Sequence, residues 1–159
     1  MYKRILVALD GSRSARLALN EALTLARAAD AALMVASVAE RDLPVVDPMP
    51  GVIETQEAQA FDLSGEAAAQ RELDYAGRLC VLLEVRGVTQ IVDAHGASIP
   101  DALLQASQAF EADLIVMGTH GRRSVRRHLL GSVAETVLRS SAVPVLMMRD
   151  DKSNQAPTV

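Results

Sequence analysis

Residues 4–12 read RILVALDGS, and this short stretch indicates the fold class. An apolar run that ends at a turn is typical of a strand buried on both faces of a parallel sheet. Asp10, Gly11 and Ser12 form the predicted turn, and either Ser12 or Ser14 can cap the helix that follows. Apolar residues then recur at helical spacing over residues 15–29. The chain therefore opens with a strand, a turn and a helix.

The same alternation continues along the chain. Further apolar runs predict strands at 32–38, 89–94, 113–118 and 143–148. Helical patterns lie at 64–86, 99–110 and 132–140. Gly87 is the predicted stop of the first of these helices, and Ser132 and Glu135 fit a capping box at the start of the last. Strands that alternate with helices predict an α/β fold of Rossmann-like type, a single open parallel sheet with helices on both faces.

The chain has the length of one domain, with 159 residues. We predict that residues 1–149 form this domain and that 150–159 are a flexible tail. Residues 39–63 contain three prolines and predict a long irregular connection, of which 53–60 could be helical. Long loops in compact domains are usually functional or mobile.

Composition excludes several classes of function. The net charge of −4 and the 3% aromatic content argue against nucleic acid as a partner. A single cysteine, Cys80, predicts a reducing compartment and, from its place on an apolar helical stripe, a core position. No apolar run approaches the length that spans a bilayer, and the amino terminus does not resemble a signal peptide. We therefore predict a cytoplasmic protein without a membrane partner.

Residues 118–132 read GTHGRRSVRRHLLGS and join a predicted strand to a predicted helix. Glycines let the backbone approach a ligand closely, and successive N–H groups can surround an anion. The start of the following helix favours phosphate as well. Arg122 and the other arginines of this segment add positive charge. The pattern predicts a phosphate site, although ordinary connector glycines and a solvated arginine loop remain the alternative.

Two better-known phosphate loops are excluded. A Walker-type loop has a lysine before the serine or threonine that opens its helix, whereas Ser132 follows Gly131 directly. The dinucleotide fingerprint needs three glycines after the first strand, where only Gly11 is present. No histidine, cysteine and carboxylate cluster has the spacing of a metal site.

The glycine spacing resembles the G-2x-G-9x-G(S/T) motif of the ATP-binding branch of the universal stress protein family. The likeness extends to ILVALDGS at 5–12, ADLIVMGTHG at 112–121, LLGSVAE at 129–135 and VPVL at 143–146. It implies a five-stranded sheet in the order 3-2-1-4-5, with ATP bound across the ends of strands 1, 2 and 4. It also implies a homodimer through strand 143–148, whose apolar edge would otherwise be exposed.

The resemblance implies roles for most of the site residues. Asp10 would contact the ribose or the metal of Mg²⁺-ATP, Val38 would lie against adenine, and Met117 would neighbour base and ribose. Gly118, Gly121, Gly131 and Ser132 would hold the phosphates. The remaining predicted contacts are Ala8, His120 through its backbone, Arg122 and Val133.

Three hypotheses about function follow. The first is an ATP-binding regulatory protein of stress response, which acts through nucleotide-dependent conformation or partner choice. The second is a slow ATPase or a nucleotidyl-transfer enzyme, although we identify no catalytic residue, no lysine for the γ-phosphate and no metal carboxylate pair. The third is an interaction module that binds no nucleotide. Which adenine nucleotide is bound depends on pocket shape, which the sequence leaves open.

Overall fold

The computed structural model describes residues 1–39, 56–94, 96–121 and 130–150, with side chains of the second helix described from residue 65. Its elements are β1 Arg4–Ala8, α1 Arg13–Ala29, β2 Ala32–Ala39, α2 Gln56–Leu82, β3 Gly87–Asp93, α3 Ile99–Ala109, β4 Leu114–Gly118, α4 Ser132–Ser140 and β5 Val145–Met148. The strands form one five-stranded sheet in the order β3-β2-β1-β4-β5. All four pairings are parallel, which confirms the predicted fold class and strand order.

The central strand is β1, and the order in which successive strands are added to the sheet reverses beside it. Ile5 pairs with Leu33 of β2 on one side and with Leu114 of β4 on the other. The chain builds outward from β1 to β2 and β3, then returns to place β4 and β5 on the opposite side. The carboxyl ends of β1 and β4 therefore flank the topological switch point, where open α/β sheets bind their ligands.

Helices cover both faces of the sheet. Ile5 and Val7 face one apolar cluster, which contains the buried side of α1 and of α2. Leu6, between them in sequence, faces a second cluster with α3 and α4. This alternation is the period of a strand buried on both faces, and it explains the continuous apolar run with which the chain begins.

The second helix differs from its predicted bounds at both ends. It begins at Gln56, so residues 56–60 are helical as the sequence allowed, and the helix also includes residues 61–63 of the predicted irregular connection. Residues 40–55 lie outside the described part of the chain. It ends at Leu82, and the left-handed Glu84, at φ 57°, follows. Gly87 instead begins β3, where an added Cβ would lie 2.4 Å from Cys80 Sγ. The prediction that Gly87 stops the helix is wrong, because close packing requires this glycine.

The two helices that border the switch point begin differently. Ser12 is the N-cap of α1, and its hydroxyl accepts the N–H of Ala15 at 3.2 Å, as predicted. The predicted capping box at Ser132 and Glu135 is wrong. Gly131 is the N-cap of α4 and Ser132 is its first helical residue, so no side-chain hydrogen bond caps this helix.

Two further predictions concern burial and edges. Cys80 is buried in the cluster beneath α2, as predicted, and burial raises the pKa of its thiol. The strand predicted at 143–148 begins at Val145, with Pro144 just before it, and β5 is an edge of the sheet. Within the described ranges, no helix has both the length and the apolar character needed to cross a bilayer.

Candidate functional site

The candidate site lies at the switch point, where three segments meet. The turn after β1 contains Asp10, the turn after β4 extends from Gly118 to Gly121, and α4 begins at Ser132. Their contacts join positions more than a hundred residues apart in sequence. The structure thus brings together most of the residues that the sequence analysis selected, while Arg122 lies outside the described residues.

Asp10 has two roles in the first turn. Its Oδ1 accepts the N–H of Ser12 at 2.9 Å, which is the side-chain-to-backbone bond typical of an aspartate turn. Its Oδ2 lies 2.9 Å from the position that a Cβ on Gly121 would take. The carboxylate therefore stabilises its own turn and also lies against the glycine turn.

Hydrogen bonds attach the glycine turn to three other elements. Thr119 N–H donates to Met148 O at 2.9 Å, which continues the pairing of β4 with β5. Gly131 N–H donates to Thr119 O at 2.8 Å. His120 O accepts the hydroxyl of Ser14 at 2.6 Å. The turn is thus connected to β5, to the residue that precedes α4 and to α1.

Two of the three motif glycines, Gly118 and Gly131, serve different physical purposes. An added Cβ on Gly118 would lie 2.4 Å from Ser14 Oγ and 2.8 Å from Ala15 N, so Gly118 is required by the packing of α1. An added Cβ on Gly131 would lie 3.1 Å from Thr119 O, which is tight but tolerable. The N–H of Gly131 already donates a hydrogen bond to Thr119 O. Gly131 would therefore contribute to phosphate binding by letting a phosphate come close to the backbone, not by donating a hydrogen bond to it.

The start of α4 offers donors to an anion. An α-helix leaves its first N–H groups without intrahelical partners, and no side chain caps those of α4. Gly121 N lies 3.8 Å from the Cβ position of Gly131, the N-cap residue that directly precedes Ser132 and Val133. These donors and the positive end of the helix dipole together favour a phosphate at this place.

An apolar surface adjoins these donors. Met117 is buried, and Ala8, Val38 and Val133 are partly buried against the same core cluster, on the α3 and α4 side of the sheet. Val38 is the penultimate residue of β2, since the strand continues to Ala39. The residues predicted to face the base thus share one face of the sheet, next to the polar turn.

His120 has a more enclosed side chain than a solvated turn residue. Its Nδ1 lies 2.9 Å from Thr119 Oγ1. Its Nε2 is shielded from solvent and has no hydrogen-bond partner within the described part of the chain. Its carbonyl turns toward α1. Of the two backbone polar groups of His120, only the N–H therefore remains a candidate for contact with phosphate.

The basic residues of α1 nearest the turn are paired with carboxylates. Arg13 Nε lies 3.2 Å from Asp150 Oδ1. Arg16 binds Glu72 at 2.5 Å, and this hydrogen bond and the charge of Glu72 raise the pKa of the guanidinium. These ion pairs connect the first turn of α1 to Asp150, which follows β5, and to Glu72 of α2.

The described residues offer little to a metal ion by themselves. No group of three or more histidine, cysteine or carboxylate side chains converges anywhere in the ranges that the structure describes. Asp10 supplies one oxygen at the glycine turn, and Mg²⁺ is commonly held by one or two carboxylates together with phosphate oxygens. The donor set therefore fits Mg²⁺ that arrives with a nucleotide.

Sequence reasoning missed one residue that shapes the turn. The sequence pattern predicts Ser14 only as an alternative cap, yet its buried hydroxyl bonds the carbonyl of His120. A serine two residues after a predicted cap gives no signal of this contact, because its partner is 106 residues away.

The fold and the site together define an α/β protein with an anion-binding turn at the switch point of a parallel sheet. The sequence profile of the universal stress protein family matches residues 1–149, and the chain belongs to this family. A universal stress protein of Methanocaldococcus jannaschii is 29% identical over 152 residues, which are 96% of this chain and 85% of the relative.

Solved structures agree with this assignment. A universal stress protein of Burkholderia pseudomallei is 35% identical, with a TM-score of 0.70 over 94% of this chain and 97% of that one. A universal stress protein in complex with cAMP is 25% identical, with a TM-score of 0.66 over 93% and 97%. One from Archaeoglobus fulgidus in complex with dAMP is 23% identical, with a TM-score of 0.65 over 93% and 98%.

Proposed function

We propose that this protein binds ATP with Mg²⁺ at the switch point and acts in stress response through nucleotide-dependent conformation or partner choice. The observation that carries the proposal is the uncapped start of α4 beside Gly121 N and the carboxylate of Asp10. Hydrogen-bond donors for phosphate and an oxygen for the accompanying cation or the ribose thus lie together at the carboxyl ends of the strands. The relatives that bind cAMP and dAMP support an adenine nucleotide as the ligand class.

The proposed arrangement assigns each part of the nucleotide to a surface. The phosphates would lie at the N–H groups of Gly121, Ser132 and Val133. The ribose or the Mg²⁺ ion would contact Asp10. The base would lie on the apolar surface of Val38 and Met117. A carboxylate next to a phosphate site repels the anion unless a cation or a hydroxyl donor lies between them, which is why we expect Mg²⁺ to strengthen binding.

Calorimetric titration of ATP with and without Mg²⁺ tests the proposal. The informative variant is Gly131→Val, whose added Cβ would lie 3.1 Å from Thr119 O and whose branches would enter the space beside Gly121. The matched control is Gly65→Val, because nothing lies within 4 Å of an added Cβ on that exposed helical residue. We expect wild type and control to bind alike and Gly131→Val to bind at least tenfold more weakly, about 1.4 kcal/mol. A wild-type protein that is folded but does not bind at millimolar ATP would refute the proposal.

We further propose that the protein binds more than it hydrolyses. The described part of the site contains donors and one carboxylate, whereas Lys3, the only lysine among the described residues, precedes β1 at the opposite end of that strand. A turnover assay with Mg²⁺-ATP should give a rate well below about one per second. A faster rate would favour the enzyme hypothesis.

A homodimer through β5 belongs to the same proposal. β5 is a sheet edge formed by the apolar residues Val145–Met148, and an uncovered apolar edge invites pairing with another strand. A second copy of the strand would satisfy this edge. Sedimentation at tens of micromolar protein should therefore give twice the chain mass, and a monomer at that concentration would contradict the dimer.

A further inference from the structure

The peptide that joins His120 to Gly121 is held by two hydroxyl groups of α1. Ser14 Oγ donates to His120 O at 2.6 Å, and Ser12 Oγ donates to the same oxygen at 3.2 Å. A carbonyl oxygen has two lone pairs, so both bonds can exist together. Ser14 is 4% exposed, so this hydroxyl is removed from water and depends on its protein partner.

This contact fixes the direction of a donor in the proposed phosphate site. The C=O and N–H of a trans peptide point in opposite directions in one plane. Because the His120 carbonyl points toward α1, the N–H of Gly121 points away from α1. The nitrogen lies 3.8 Å from the Cβ position of Gly131, so it lies beside the N-cap residue of α4.

The peptide would otherwise have two accessible orientations. Rotating a peptide by half a turn changes ψ of the preceding residue and φ of the following one. The following residue is Gly121, and glycine accepts both signs of φ at similar cost. Gly121 has a φ outside the left-handed region in this structure. The hydroxyl groups of Ser12 and Ser14 select this orientation over the flipped one, in which the carbonyl oxygen would face the anion.

We infer that Ser14, assisted by Ser12, is a positioning residue that orients the Gly121 N–H toward the phosphates of the nucleotide. This inference rests on the proposed nucleotide binding and adds to it the reason why the turn is preorganised. Ser14 does not touch the ligand. It acts through the His120 carbonyl, and Gly118 provides the space for it, since an added Cβ there would lie 2.4 Å from Ser14 Oγ.

The test is the affinity of the Ser14→Ala variant for Mg²⁺-ATP. Removal of the hydroxyl leaves His120 O with the longer bond from Ser12 alone, and we expect ATP to bind about tenfold more weakly. The matched control is Ser107→Ala, which removes another buried serine hydroxyl, on α3. It should bind ATP as wild type does. Adenosine, which has no phosphate, should bind the wild type and Ser14→Ala alike.

A second measurement addresses the peptide itself. In amide spectra of the wild-type protein, the Gly121 signal should shift on addition of ATP, and in Ser14→Ala this response should be weakened. The inference would be overturned if wild type and Ser14→Ala bound ATP with equal affinity. It would also be overturned if Ser14→Ala lost as much affinity for adenosine as for ATP, or if the Gly121 amide signal of the wild type did not shift on addition of ATP. A wild-type protein that binds no adenine nucleotide is a different result, because it removes the proposed function itself.

Discussion

Gly118 is the motif glycine whose replacement should be most damaging, and the reason is helix packing rather than phosphate binding. In Gly118→Ala the new methyl group would lie 2.4 Å from Ser14 Oγ, 2.8 Å from Ala15 N and 2.8 Å from Ser14 C. Ordinary contacts between such atoms are about 3.5 Å. Two of the three atoms belong to the backbone and cannot rotate away. The first turn of α1 would have to retreat by about 1 Å.

The magnitude follows from what α1 buries. Seven of its residues are buried, and the helix packs on the central strands β1 and β4, so a shift of the helix disturbs the whole cluster. Overpacking in a core usually costs 1–3 kcal/mol, and backbone clashes place Gly118→Ala at the upper end, about 3 kcal/mol. For a chain of this length the melting temperature should fall by about 6–12 °C.

Urea unfolding followed by circular dichroism provides the assay, since a change in the midpoint at constant slope reports stability. The matched control is Gly77→Ala in α2, where an added Cβ would meet only Thr89 Cγ2 at 3.7 Å. This control should be as stable as the wild type or more stable by up to about 1 kcal/mol, because alanine favours a helix over glycine. If Gly118→Ala loses less than about 0.5 kcal/mol, the packing argument for Gly118 is wrong.

Four further predictions concern the caps, the cysteine and the dimer edge. Ser12→Ala should lower the free energy of unfolding by about 1 kcal/mol, because Ser12 caps α1. Ser132→Ala should change that free energy by less than about 0.5 kcal/mol, because Ser132 caps no helix. Equal losses for the two variants in urea titrations would contradict the assignment of the caps. The buried Cys80 thiol, with its raised pKa, should react with a thiol reagent at pH 8 far more slowly in the native protein than in urea, and a native rate equal to the unfolded one would contradict its burial. The same raised pKa means that the unfolded thiol loses its proton first, so the free energy of unfolding should fall as pH rises above about 8.5, and Cys80→Ala should lack this part of the slope. Met147→Lys places a charge on the edge strand β5 and should convert the proposed dimer to a folded monomer, as measured by sedimentation. A dimer that persists in this variant would place the interface elsewhere.

Local patterns in the sequence determined the elements of the fold. Continuous apolar runs predicted the buried strands, because a strand covered on both faces needs apolar residues at every position. The helical stripe that contains Cys80 predicted its place in the core, and Ser12 predicted the cap of α1 because a cap depends on neighbours within one turn. The glycine spacing and its family resemblance predicted the segments that meet at the switch point.

Only the tertiary structure decided the details that depend on contacts between distant residues. The Gly87 backbone packs against Cys80 at the start of β3, so this glycine is not the helix stop that its local sequence predicted. The Gly118 backbone packs against α1, and no local pattern indicated this requirement. The first turn of α4 is left without a side-chain cap, although Ser132 and Glu135 have the spacing of a capping box. Ser14 bonds a carbonyl 106 residues away, and no local pattern encodes that distance. The periodicity of apolar residues in the sequence indicates which residues are buried, whereas the order of strands in the sheet decides which buried residues contact each other.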